Sequence, residues 1–105
     1  MNKRIALTGA TGFVGGHLLN ELVSRGYQVN ALTRRPQPSR ANVNWVRGDF
    51  SNQDALNELL KDAQTLINVA GLIKAKSKND FENAIGNIID NAIKYGGNKI
   101  LVELS

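Results

Sequence analysis

The chain has 105 residues, of which 42% are hydrophobic and 21% charged, and its formal net charge is +4. This length allows one domain with one hydrophobic core, and the composition is that of a folded globular protein rather than a disordered segment. The lack of cysteine excludes disulfides and thiolate sites, and the single histidine excludes a multi-histidine metal site, so no metal site is expected.

The sequence pattern is not that of a membrane or exported protein. No apolar run approaches the roughly 20 residues of a membrane helix, and Met1 to Ile5 lead directly into a strand-like segment. We therefore expect a cytoplasmic protein with no membrane partner.

The positive charge is concentrated in one part of the chain. No acidic residue lies between Glu21 and Asp49, whereas five arginines do: Arg25, Arg34, Arg35, Arg40 and Arg47. Basic patches attract phosphates, and a patch this local suits a small phosphate-bearing ligand better than a nucleic acid. We therefore do not expect a nucleic-acid partner.

The first half of the chain alternates between strand and helix patterns. A buried strand is predicted at Arg4 to Thr8. A helix follows from Gly12, with apolar residues at helical spacing and a glycine stop at Gly26. A second strand is predicted at Gln28 to Thr33 and ends at "RRPQP", because proline cannot continue a central strand.

The second half continues the alternation. A short third strand at Asn44 to Arg47 precedes a capping box at Ser51 to Asp54, which opens a second helix. A fourth strand is predicted at Thr65 to Val69. The remaining elements are a third helix, with Ile85, Ile88, Ile89, Ala92 and Ile93 at helical spacing and a stop at Gly96-Gly97, and a fifth strand at Lys99 to Leu104.

Strands that alternate with helices predict right-handed crossovers and a parallel sheet covered on both faces. The fold class is therefore α/β, a doubly wound Rossmann-like sheet of five strands in the order 3-2-1-4-5. Such sheets bind ligands beyond the carboxyl ends of the strands, where the strand order reverses. In this chain that point follows the first strand.

Three glycines stand at that point, in the stretch "LTGATGFVGG". Gly9 suits the turn that leaves the strand, Gly12 lets backbone N–H groups approach a pyrophosphate, and Gly15 lets the helix pack closely. The helix N-terminus then presents free N–H groups and a partial positive charge. The pattern predicts dinucleotide binding; the alternative is that the glycines only form a tight turn between strand and helix.

The spacing Thr8-Gly9-x-x-Gly12-x-x-Gly15 resembles that of the short-chain dehydrogenase/reductase superfamily, particularly its extended and atypical members. The resemblance rests on "TGATGFVGGHLL", "LTRRP", "GDF", "INVAGLIKAKS" and "ILVELS", and so covers nearly the whole chain. It is similar to the epimerase/dehydratase branch and to the related subunit of respiratory NADH dehydrogenase. The resemblance implies a dinucleotide-binding domain over residues 1–105, truncated relative to the family.

The resemblance also implies roles for individual residues. The pyrophosphate site would be lined by Gly9, Gly12, Phe13 and Val14, with Gly15 as the packing glycine. Asp49 and Phe50 would flank the adenine, and Ala70 and Gly71 would approach the nicotinamide-side ribose. Alternatively, Asp49 only caps a turn and Ala70-Gly71 only ends a strand.

The choice of cofactor follows from charge. A site selective for NAD places a carboxylate about 20 residues past the glycines, whereas an arginine accommodates the 2′-phosphate of NADP. Positions 29–36 hold no carboxylate but do hold Arg34 and Arg35. We predict NADP(H) over NAD(H), with Arg34 as the main partner and Arg35 secondary, although either arginine could be only a solvated strand end.

Catalytic residues are not predicted. The resembling family uses a Tyr-x-x-x-Lys pair; Tyr27 lacks the lysine, and Lys99 follows Tyr95 only across a glycine pair that would break a shared helical face. His17 is more simply a surface or packing residue, and Trp45 a core or sheet-edge anchor. We expect a cofactor-binding half without turnover on its own.

Two other hypotheses stay open: a noncatalytic NADP(H)-binding module, and an interaction protein that forms a homodimer through the edge of the fifth strand.

Overall fold

The computed structural model describes residues 3–69, 77–95 and 100–104. Its strands are β1 (Arg4–Leu7), β2 (Gln28–Thr33), β3 (Val43–Arg47), β4 (Thr65–Val69) and β5 (Ile100–Leu104). Its helices are α1 (Phe13–Ser24), α2 (Gln53–Leu60) and α3 (Lys78–Tyr95). The strands form one parallel sheet in the order β3-β2-β1-β4-β5, which confirms the predicted fold class and strand order.

Most boundaries agree with the sequence prediction to within one residue. β1 ends one residue earlier than predicted, at Leu7, and β3 begins one residue earlier, at Val43. Gly96, Gly97 and Lys99, which were predicted to end α3 and to begin β5, lie outside the described residues.

The predicted capping box at the start of α2 is wrong. The N-cap is Asn52, whose side chain accepts a hydrogen bond from the backbone N–H of Ala55 at 2.9 Å. Ser51 does not cap the helix because its backbone N–H and its hydroxyl both donate to the carboxylate of Asp49. The helix therefore begins at Gln53, one residue later than a cap at Ser51 would give.

Helices cover both faces of the sheet, and in β1 to β4 the side chains divide between two cores. In β1, Ile5 and Leu7 belong to the core under α1 and α3, whereas Ala6 belongs to the core under α2. Parallel strands with both faces covered have few exposed residues, and in β2 five of the six residues are buried.

A buried asparagine in β2 links four parts of the fold. The side-chain N–H groups of Asn30 donate to the carbonyl oxygens of Leu59 and Lys61 at 3.0 and 3.1 Å, at the end of α2. Its Oδ1 accepts from Arg4 of β1 at 2.8 Å and from Asn44 of β3 at 3.4 Å. Asn30 therefore fixes where α2 ends against the sheet.

Truncation of this side chain should destabilise the protein. Asn30→Ala leaves two carbonyls and a guanidinium without their buried partner, so we expect a loss of about 2–4 kcal/mol in the free energy of unfolding, measured by urea denaturation. The control is Asn44→Ala, which removes only the longer bond from an exposed residue and should change stability by less than about 0.5 kcal/mol. Equal effects of the two substitutions would contradict this role for Asn30.

Candidate functional site

The loop between β1 and α1, residues 8–12, contains two of the three glycines. Gly9 has φ +69°, a left-handed conformation that side chains disfavour, and a Cβ there would lie 3.0 Å from Cβ of Val69. Gly12 is the N-cap of α1, and its N–H donates to the carbonyl oxygen of Gly9 at 3.0 Å. The chain thus turns sharply out of β1 and directly into the helix.

Gly15 is required by packing. A Cβ on this buried residue would lie 1.7 Å from the carbonyl oxygen of Gly9 and 2.9 Å from Cα of Ala10, distances that no relaxation of side chains could relieve. The first turn of α1 therefore lies directly on the backbone of the loop. Val14 is also buried, in the core under α1 and α3.

Gly12 differs from the other two glycines. Its φ of −82° and ψ of 177° suit any residue, and a Cβ there would lie 3.4 Å from the carbonyl oxygen of Gly9. No side chain caps α1 at this position, and its first turn holds no acidic residue. The fold itself therefore does not demand a glycine here, and the positive end of the helix is left open to an anion.

A buried threonine ties this loop to the neighbouring strand. The Thr8 hydroxyl donates to Oδ1 of Asn68 at 2.5 Å and accepts from the backbone N–H of Val69 at 3.0 Å. The Thr8 N–H donates to the carbonyl oxygen of Ile67 at 3.0 Å. The loop is thus held at the carboxyl ends of β1 and β4, between which the strand order reverses.

The end of β2 brings two arginines to the same edge of the sheet. The hydroxyl of buried Thr33 donates to the carbonyl oxygen of Arg35 at 2.7 Å and accepts from its N–H at 3.3 Å, which fixes the backbone after the strand. Arg34 and Arg35 are exposed. In the described part of the chain, neither guanidinium forms an ion pair with a carboxylate.

The segment after β3 adds a carboxylate and a ring. Oδ1 of Asp49 accepts from the N–H of Ser51 at 2.8 Å and from its hydroxyl, so this residue does cap a turn. These bonds, with a smaller contribution from the charge of Arg34, hold the pKa of Asp49 below its ordinary value. Both bonds end on Oδ1, which leaves Oδ2 as a second acceptor. Phe50 is 62% exposed beside it.

These segments line one open cleft of about 880 Å³ at the carboxyl edge of the sheet. Five of the residues predicted from the sequence lie in its lining: Gly9, Arg34, Arg35, Asp49 and Phe50. The sequence prediction missed the others, which are Thr8, Thr11, Leu32, Thr33, Gln37, Gly48, Ser51 and Val69. They are mostly small or polar residues at or near strand ends, and only their position next to a predicted strand could have indicated that they line the cleft.

The remaining predicted residues are placed differently. Gly12 is not among the residues that line the cleft, although it bonds to Gly9, which is; Gly15 and the side chain of Val14 are buried. Phe13 is 72% exposed, and its ring lies edge-on to the His17 ring with centroids 4.9 Å apart. Ala70 and Gly71 lie outside the described residues.

A second groove, of about 650 Å³, lies between α1 and α3, and none of the predicted cofactor-binding residues line it. Arg25 crosses it and bonds to Glu21 at 3.2 Å and to Asp90 at 2.8 Å. The charges of Arg25, Glu21 and Asp90 in this groove thus pair with one another, which is typical of a contact between two helices.

The backbone positions of the two tyrosines lie away from the cleft. Tyr27 precedes β2 and packs on the core, and Tyr95 ends α3, which runs back to the amino edge of the sheet before β5. Both therefore lie at the edge opposite the cleft. Within residues 3–69, 77–95 and 100–104, no histidine and carboxylate cluster could hold a metal ion, and no helix has the length and hydrophobicity to cross a bilayer.

Comparison with known proteins places this arrangement in a family. The model of the NAD dependent epimerase/dehydratase family matches residues 5–94. A fatty acid hydroxylase of Mycosarcoma maydis is 32% identical over 120 residues, which cover 99% of this chain and 40% of that protein. A ceramide reductase of Caulobacter vibrioides is 42% identical over 81 residues, which cover 73% of this chain and 26% of that protein.

Solved structures share the fold. MoeE5, in complex with UDP-glucuronic acid and NAD, is 27% identical and superposes with a TM-score of 0.60 over 97% of this chain and 36% of that one. The chain thus spans less than half the length of each of these relatives. Because the family match runs through most of its 105 residues, the chain belongs to the NAD-dependent epimerase/dehydratase family.

Proposed function

We propose that residues 1–105 form the dinucleotide-binding unit of an NAD(P)-dependent oxidoreductase or epimerase/dehydratase, and that this unit prefers NADP(H). The observation that carries the proposal is the cleft itself, which is lined by the loop before α1, the arginines after β2 and Asp49 and lies where the strand order reverses. The NAD complex of a relative 27% identical to this chain supports dinucleotide binding.

Gly12 supports a pyrophosphate at the helix N-terminus. The conformation of Gly9 and the packing of Gly15 explain those glycines without a ligand, but nothing within the described fold explains Gly12. A ligand that approaches the backbone closely would explain it, because a side chain would occupy the space above the first turn of α1. The helix dipole favours an anion there.

The charges after β2 support a 2′-phosphate. Arg34 and Arg35 are exposed in the cleft lining, and within the described residues no carboxylate neutralises either by direct contact. A guanidinium binds phosphate oxygens through paired hydrogen bonds. Asp49, with Oδ2 available, would accept from the adenine amino group, and the exposed Phe50 ring would lie beside the base.

Bound NADP(H) would supply hydride transfer; the residues of this chain would bind and orient it. We assign no proton-transfer role to this unit because Tyr27 and Tyr95 lie at the opposite edge of the sheet. A noncatalytic role in which the bound dinucleotide serves stability or sensing uses the same cleft.

Isothermal titration of the chain with NADPH and with NADH tests the proposal. We expect both to bind and NADPH to bind about tenfold or more tightly, with the difference smaller at high salt because the arginines are exposed. Arg34→Ala should weaken NADPH and leave NADH unchanged. Arg47→Ala, which removes the same charge from an exposed residue outside the cleft lining, should change neither.

Failure to bind either dinucleotide would overturn the proposed function. Equal affinities in the native chain would overturn only the preference for NADP(H).

A substitution at Gly12 should separate binding from folding. Gly12→Ser fits the backbone and provides a better N-cap, so thermal stability should be equal or slightly higher, but its side chain would occupy the pyrophosphate position and weaken both cofactors about tenfold or more. Gly15→Ala is the contrasting variant and should unfold the protein, as judged by circular dichroism. Undiminished binding by a folded Gly12→Ser protein would count against a pyrophosphate at this site.

We also propose that two copies of the chain pair through β5. In the described sheet β5 bonds to β4 and forms one edge, and exposed parallel edges offer backbone groups to another strand. Sedimentation velocity over a concentration series should show a dimer at high protein concentration. A monomer at every concentration would exclude this pairing.

A further inference from the structure

The segment between β2 and β3, residues 34–42, carries the arginines of the cleft and is called the arginine loop here. Arg34, Arg35 and Gln37 line the cleft, whereas Pro38 lies outside its lining. The position of the guanidinium groups therefore depends on how the backbone between Thr33 and Pro38 is held.

The start of the arginine loop is fixed by Thr33, whose buried hydroxyl makes two hydrogen bonds to the backbone of Arg35. From there the chain is stiff. Proline fixes its own φ and restricts the residue before it to extended conformations, and Pro36 and Pro38 follow each other at a spacing of two. Movement at Pro38 would therefore be passed on to Gln37 and Arg35 rather than absorbed between them.

The other end of this stiff stretch is held by the only tryptophan of the chain. The indole Nε1–H of Trp45 donates to the carbonyl oxygen of Pro38 at 3.2 Å. Trp45 pairs with Ala31 in the sheet, and its ring packs against the core under α1 and α3. The indole is thus a rigid donor on a strand, and it does not line the cleft.

We propose that Trp45 is a positioning residue for cofactor selectivity. Its indole N–H holds Pro38, and through the stiff stretch it holds Arg34 and Arg35 where they meet the ribose 2′-phosphate. This proposal rests on the proposed preference for NADP(H). Preorganisation of this kind affects only the ligand that uses the arginines, because NADH has no group at the 2′ position that needs them.

The test compares dissociation constants of NADPH and NADH for the native chain and for Trp45→Phe, which keeps an aromatic ring and removes the donor. The ratio of the two constants should fall by about five- to tenfold, the effect expected for one neutral hydrogen bond, with NADH affinity unchanged. Asn57→Ala is the matched control. It removes one exposed hydrogen bond, from Gln53 at 2.9 Å, in α2 outside the cleft lining and should leave the ratio as in the native chain.

An unchanged ratio in Trp45→Phe would overturn the proposal. An equal loss of affinity for both cofactors would overturn it too, because that result indicates a general packing role. If the native chain binds both cofactors equally, there is no selectivity for Trp45 to support, and this proposal is overturned while dinucleotide binding stands. If the native chain binds neither cofactor, the proposed function itself is overturned.

A second variant decides the matter if Trp45→Phe does not fold. Pro38→Gly leaves Trp45 and the core unchanged and loosens the exposed stretch between the two anchors. It should lower the ratio in the same direction. A native ratio in Pro38→Gly would show that the arginines do not depend on this stretch.

Discussion

The contact between Gly15 and the backbone of Gly9 and Ala10 is the constraint on which the cleft depends. Because no side chain separates them, the first turn of α1 lies directly on the loop that leaves β1. The open N-terminus of the helix is thereby held at the carboxyl edge of the sheet. Thr8 fixes the same loop to β4 from the other side, through Asn68 and Val69. The helix dipole can therefore act at the point where the strand order reverses.

The three glycines of one motif thus serve two purposes. Gly9 and Gly15 are needed for the fold to form, so a substitution at either position lowers stability whether or not it affects binding. Gly12 is compatible with a side chain in the folded protein, and we propose that a ligand accounts for its lack of one. The charges fit this proposal, because the exposed Arg34 and Arg35 line the cleft together with Asp49 and the loop that leads into α1.

Much of this arrangement could be predicted from the sequence because it depends on local patterns. Alternating strand and helix patterns predict the fold class and the strand order, and the acid-free stretch after β2 points to Arg34 as a phosphate partner. The place of Asp49 beside the adenine is implied only by the family resemblance. The hydrogen bonds of Asn30 could not be predicted, because its acceptors lie 29 and 31 residues along the chain and "QVNALT" reads only as a strand.

Three smaller features were also beyond the sequence patterns. The bond between Thr8 and Asn68 spans 60 residues and depends on the register of β1 with β4. The N-cap of α2 is Asn52 because Ser51 bonds to Asp49 instead of capping the helix. Both arrangements of these short-range hydrogen bonds are compatible with the sequence. The indole bond of Trp45 to Pro38 is of the same kind, since only the folded loop brings its acceptor within reach.

We propose that a dinucleotide lies in the cleft between residues 8–12 and the arginine loop. The decisive measurement is amide chemical-shift mapping of the isotope-labelled chain during titration with NADPH. We expect the largest shifts at Gly9, Gly12 and Arg34, with little change along α3. Largest shifts at Asn83 and Gly86, in the groove between α1 and α3, would contradict it.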